Sequence, residues 1–110
     1  MNSDLPPPFN AYRGNDPFLF VSYAHEDKGL VYPVIKDLNK KRVRIWYDEG
    51  IPASSNWIES IADKILNCNC FLVFITPEAL KSQVVCDEIN YAKRKGCLLY
   101  ILKIPSFPEN

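Results

Sequence analysis

The sequence predicts an α/β protein built on a parallel sheet, and three observations carry that reading. The runs FLFV (Phe18–Val21), FLVFI (Phe71–Ile75) and LLYILKI (Leu98–Ile104) are apolar at successive positions, so each strand would be covered on both faces by helices. Amphipathic stretches separate the runs, and the chain alternates strand with helix as βαβαβαβ. Right-handed crossovers leave few arrangements for that pattern, of which the flavodoxin-like order 2-1-3-4 in three α/β/α layers is the commonest.

Each element has a local reason. The first strand is expected over Phe18–Tyr23 and the first helix around Lys28–Lys41. There Leu30, Val34 and Leu38 recur every fourth residue beside Val31 and Ile35, with Pro33 tolerated only in the first turns. Val43–Tyr47 reads as the second strand. Asn56–Asn67 reads as the second helix, with Ser54 or Ser55 able to cap it and Trp57, Ile58, Ile61, Ile65 and Leu66 forming its apolar side. Cys70–Ile75 is the third strand. The third helix, Ser82–Lys95, has Ser82 as N-cap, Val85, Ile89 and Ala92 on one face, and Gly96 to stop it; Leu98–Ile104 is the fourth strand.

Residues 1–16 carry PPPF and no periodicity, so they read as an extended tail or a strap, and the domain proper occupies 17–110. At 110 residues one small domain and one site are expected. The 13 basic and 13 acidic residues balance, which argues against an overall basic surface for nucleic acid or anionic membrane. No apolar run approaches the roughly 20 residues of a membrane span, and MNSDLPPPFN lacks a signal peptide's features, so the expected compartment is the cytoplasm. Cys68, Cys70, Cys86 and Cys97 form no C-x-x-C pair and read as reduced and mostly core. A metal site from Cys68, Cys70 and the lone His25 is disfavoured, so no metal is expected.

In a 2-1-3-4 sheet the switch point falls between strands one and three, where α/β proteins keep their ligands. Ser22–Glu26 and Thr76–Lys81 would line that crevice, with Asp48–Ser55 reaching over from the second strand. The last strand is hydrophobic enough for a sheet interior yet is followed only by PSFPEN, which leaves an edge in need of cover. A phospho-receiver needs an acidic cluster and an Asp at these strand ends, which hold Ser22–Tyr23 and Thr76–Pro77 instead. There is no G-x-G-x-x-G or P-loop for nucleotide phosphates.

FVSYAHEDK, IWYDEGIPASSNW and FLVFITPEALKSQVVCDEI, in that order and spacing, resemble the first box, the second strand with its BB loop, and the third strand with its following helix of Toll/interleukin-1 receptor (TIR) domains, especially the bacterial type. The resemblance runs from about Pro17 to Ile104, and the strand and helices that the family carries after its fourth strand are absent. It implies an enzyme that cleaves NAD+ to nicotinamide and an ADP-ribose product, with NAD+ as substrate and no other cofactor. Assembly with other TIR domains, in bacterial defence signalling, would switch it on.

Glu88 matches the family's catalytic glutamate, and a carboxylate suits the oxocarbenium-like ribosyl cation left when neutral nicotinamide departs. The residues expected to contact the dinucleotide are Ser22, Tyr23, Ala24, His25, Trp46, Asp48, Thr76 and Ser82. The BB loop Asp48, Glu49, Gly50, Ile51 and Pro52 is expected to pack against a neighbouring TIR domain. Catalytic members often carry an aromatic residue four places before the glutamate and a Cys three before, where this chain has Val84 and Val85. The competing reading is a non-catalytic interaction module in which Glu88 is an ordinary acidic residue early in a helix.

Overall fold

The computed structural model describes residues 5–48 and 57–104, with side chains of the second stretch from Ile61 onward. Four strands, β1 (Leu19–Ser22), β2 (Ile45–Tyr47), β3 (Cys70–Ile75) and β4 (Leu99–Lys103), form one sheet in the order β2-β1-β3-β4, every pair parallel. The helices are α1 (Lys28–Lys40), α2 (Trp57–Asn67), α3 (Pro77–Lys81) and α4 (Gln83–Arg94), and a single 3₁₀ turn, His25–Asp27, precedes α1. The expected three-layer, flavodoxin-like architecture is the one observed.

Strand alternation decides which residues meet which helices. Phe20 lies opposite Trp46 on one side and Phe71 on the other, and the three rings stack across the sheet with centroids 5.0 and 5.1 Å apart. That face is covered by α4, against which α2 packs. The residues one step along, Val21 and Tyr47, face the opposite side, where Tyr47 meets Tyr32 of α1 edge-on at 5.9 Å. Tyr47, Phe71, Phe74, Ile35, Val31 and Val73 are fully enclosed, and burial of such side chains is the main stabilising term.

Three local features differ from expectation. The inward face of α1 is Lys28, Val31, Tyr32 and Ile35, while Val34 is exposed and Leu30 and Leu38 are only partly covered. Tyr32 and the stem of Lys28 pack well enough to take positions a count of aliphatic residues would not give them. Second, β2 is shorter than expected, because Arg42 turns the chain with φ 72° just before it. Third, the segment after β3 forms the short helix α3, started by Pro77 and capped by Thr76.

The chain's first described residues run as a strap along the outer side of β2. Tyr12 donates its N–H to Ile45 O at 2.8 Å, Phe9 meets Tyr47 edge-on at 5.0 Å, the Tyr47 hydroxyl donates to Phe9 O, and Ala11 is buried. At the opposite margin β4 is exposed along most of its length, Ile101 to 61 %.

Helices α1 and α4 end in the same way. In α1, Arg42 N–H bonds Asn39 O and Val43 N–H bonds Leu38 O; in α4, Gly96 bonds Lys93 O and Cys97 bonds Ala92 O. Both endings place one residue in the left-handed region, Arg42 at φ 72° and Gly96 at φ 73°. Only Gly96 announces itself in the sequence. Gly96→Ala should lose about 1 kcal/mol of stability in a urea titration, since no atom lies near the added methyl and the cost is backbone strain alone. Arg42→Gly should be neutral or stabilising by a few tenths of a kcal/mol; a loss above about 1 kcal/mol would contradict this account.

Candidate active site

Position 22 shares its face of β1 with Phe20, so the Ser22 side chain points toward α4 at the strand's C-terminal end. There its hydroxyl donates to Glu88 Oε1 at 2.7 Å, and both residues are buried, Glu88 to 9 % exposure. Glu88 stands in the second turn of α4, which Ser82 starts by accepting a hydrogen bond from Val85 N–H at 3.2 Å. Burial pushes the Glu88 carboxyl up to about 7, and Asp48 and Asp87 push the same way; the Ser22 hydrogen bond and His25 oppose the shift.

Around Glu88 lie Tyr23, His25, Trp46, Asp48 and Val84, which with Phe20 and Val21 close a cavity of about 10 Å³, the room of one water at most. Tyr23 is held on two sides: its hydroxyl donates to Asp48 O at 2.6 Å and lies 3.3 Å from the Tyr32 hydroxyl. Desolvation, with Tyr32 beside it, holds the Tyr23 phenol well above its ordinary range, so it is a neutral donor. His25 is half exposed, its Nε2 3.2 Å from Asp48 Oδ2, and that hydrogen bond raises the imidazole pKa against a smaller lowering from burial. The Trp46 indole N–H is buried and has no acceptor among the described residues, although its ring stacks on Phe20. A buried donor left unpaired is costly, and a group that could pair with it would gain by binding there.

Glu88 also lines a groove between α2 and α4. The groove's volume is about 520 Å³, walled by Ile61, Ala62 and Ile65 from α2 and by Tyr91 and Arg94 from α4. That is the size of a ligand site, whereas the cavity at Tyr23 is not. One carboxyl group therefore borders both spaces.

The structure brings Ser22, Tyr23, His25, Trp46 and Asp48 around Glu88. It does not bring the other expected contacts there. Ala24 is buried and its carbonyl accepts from Asp27 N–H at 2.9 Å, Thr76 caps α3 and donates to Asp27 Oδ2, and Ser82 caps α4; none of the three lines the cavity. Glu49, Gly50, Ile51 and Pro52 of the BB loop, with the Ser54 or Ser55 cap and the Trp57 side chain, lie outside the described residues. One participant was missed in the sequence, Tyr32, which holds the Tyr23 hydroxyl; Asp27 lies away from the cavity, where it ties the loop after β1 to Thr76. Tyr32 could have been found from the 28-31-32-35 spacing of the inward helix face. All four cysteines are free and partly rather than fully buried. His25 stands beside Tyr23 and Asp48, and no group of three metal-ligating side chains occurs among the described residues.

The Glu88 shift predicts a stability profile. Between about pH 4.5 and 7 the unfolded chain has released this proton while the folded one still holds it, so stability falls as pH rises across that window, by up to about 3 kcal/mol. His25 adds a loss in the same direction from its ordinary value of 6.5 upward. Glu88→Gln, measured by urea unfolding from pH 4 to 8, should flatten the first fall and leave the second. An unchanged slope in the variant would mean that Glu88 titrates normally.

Comparison with known proteins agrees with the fold. A family model described as the TIR domain matches residues 19–105. No curated protein matches the chain. Among solved structures, the TIR domain of the Toll-related receptor TRR-2 from Hydra magnipapillata superposes with a TM-score of 0.64 at 19% identity, covering 84% of this chain and 72% of that one. The fold is thus shared with a metazoan receptor domain at low identity, and the match of the family model to nearly the whole described region places this chain in the TIR domain family.

Proposed function

We propose that this TIR domain cleaves the bond between nicotinamide and ribose in NAD+, with Glu88 as the catalytic carboxylate. The observation that supports it best is the placing of Glu88, buried, anchored through Oε1 by Ser22, and bordering a ligand-sized groove. As the C1′–N bond breaks, its electron pair leaves with nicotinamide and positive charge gathers on the ribose ring. A carboxylate held in a low-dielectric setting stabilises that charge strongly. With Oε1 engaged by Ser22, Oε2 is the oxygen left to accept from ribose hydroxyls, which orients the ring for the step. Water, or a nitrogen of the same nucleotide, then takes C1′ and yields ADP-ribose or a cyclic form. The unpaired Trp46 N–H beside Glu88 is a donor suited to a polar group of that substrate.

In this reading NAD+ is the substrate and no further cofactor or metal takes part. Assembly with other TIR domains through Asp48–Pro52 regulates the site, and the setting is cytoplasmic bacterial defence. The described helices include none long and apolar enough to cross a membrane. A second reading, a non-catalytic module that binds other TIR domains, is favoured by one observation: the turn before Glu88 presents Val84, a half-exposed aliphatic with no ring to stack on nicotinamide.

Nicotinamide release from NAD+ by the full chain at high concentration separates the two. Glu88→Ala should lower kcat by about 10²–10³-fold, the usual cost of removing one group that meets transition-state charge. Trp46→Phe, which keeps the stacked ring, should raise KM by about 5- to 30-fold, the worth of one hydrogen bond of about 1–2 kcal/mol. Activity should climb as pH passes about 7, where Glu88 ionises, and Ser22→Ala should move that rise to higher pH. A folded, assembled wild type that releases no nicotinamide would leave the interaction module as the function.

A further inference from the structure

Two thiols converge on one carbonyl at the end of the molecule remote from Tyr23 and His25. Cys68 directly follows α2, and its Sγ donates to Ile65 O at 3.1 Å; Cys97 follows Gly96, in the turn between α4 and β4, and its Sγ donates to the same oxygen at 3.4 Å. The sulfurs are therefore neighbours although the residues are far apart in sequence, and both are free. We propose that Cys68 and Cys97 are a disulfide-forming pair, a redox latch that ties the end of α2 to the start of β4.

The surroundings suit the bond. Both residues sit in irregular connections outside the helices and strands, where the backbone can settle into the Cα separation a disulfide requires. Ile65 O keeps a donor after the two S–H bonds are lost, because Cys68 N–H also reaches it at 3.4 Å. Both side chains are only partly buried, so a small oxidant has access to them. The step breaks two S–H bonds and forms one S–S bond. Two electrons and two protons pass to the oxidant, a peroxide that becomes two waters or a small disulfide that becomes two thiols. Burial, with Cys97 beside it, pushes the Cys68 thiol up to about 12. Thiolate is scarce at neutral pH, which makes closure slow there and faster in alkali.

Closure would enclose β3, α3 and α4 in a covalent ring and fix the C-terminal end of α2. Ile61 and Ile65 of that helix wall the groove that Glu88 also lines, so the latch acts on the site's outer wall without touching its chemistry. It stands whether or not the domain cleaves NAD+.

The test treats the reduced full chain with hydrogen peroxide, or with oxidised glutathione, at mildly alkaline pH, then reads intact mass and maps peptides without reduction. The expected product is a monomer lighter by two hydrogens, with Cys68 joined to Cys97, and a melting temperature higher by about 5–10 °C that returns on adding dithiothreitol. Cys70→Ser and Cys86→Ser should keep both changes, and Cys68→Ala and Cys97→Ala should each abolish them. Linkage through Cys70 or Cys86, disulfides only between chains, or full recovery of unlinked thiols in the folded wild type would each overturn the proposal, and the wild-type map decides this even if a variant fails to fold.

Discussion

The contact between Ser22 and Glu88 sets the terms for the rest of this domain. A carboxyl group nine-tenths buried is costly unless a donor meets it, and the hydroxyl at the end of β1 is that donor. To bring the two together the sheet must run parallel through β1, α4 must cover the face that Ser22 and Phe20 share, and the helix must enter at Ser82 so that its second turn lies over the strand end. The stacked rings of Phe20 and Trp46 stand beside the carboxyl and form part of its apolar surroundings. The same rings that stabilise the sheet therefore help to raise the acid's pKa.

That arrangement is asymmetric about the sheet. On the α1 side, Tyr23, Tyr32 and Tyr47 form a chain of rings with hydroxyls directed to each other and to backbone. Their donors and acceptors are largely matched within the protein. On the α4 side, the Trp46 donor and one Glu88 oxygen have no partner shown among the described residues. Polar capacity is thus satisfied on one face and held open on the other, and the open face is where a ligand would gain most.

How much of this could be read from the chain follows from the range of the forces involved. Strand order, strand positions and the α4 boundaries were legible because they rest on local signals: continuous apolar runs, Ser82 as a cap, Gly96 as a stop. Glu88 was singled out through its motif, and its pairing with Ser22 follows from strand alternation once the topology is known. Thr76 and Ser82 both commit their hydroxyls to starting helices; for Ser82 that role was legible as an N-cap, whereas for Thr76 it appears only with the short helix α3, which the sequence did not announce. Tyr32 was legible in the spacing of the inward face of α1 and was passed over for aliphatic neighbours; Arg42 takes the left-handed role at a helix end without being a glycine, and the meeting of Cys68 with Cys97 depends on how distant segments pack, which no local pattern encodes.

The strap along β2 has a consequence for growth of the sheet. One margin is met by the chain's own backbone at Tyr12, while the other ends in a strand whose Tyr100, Ile101 and Leu102 stand in solvent. Such a sheet has a direction: the edge open to a further strand is β4, whereas a strand added at β2 would have to displace the strap. A strand added at β4, from the same polypeptide or from another, arrives on the side away from Tyr23 and Asp48, so enlargement of the scaffold there leaves the entrance to the carboxyl unobstructed.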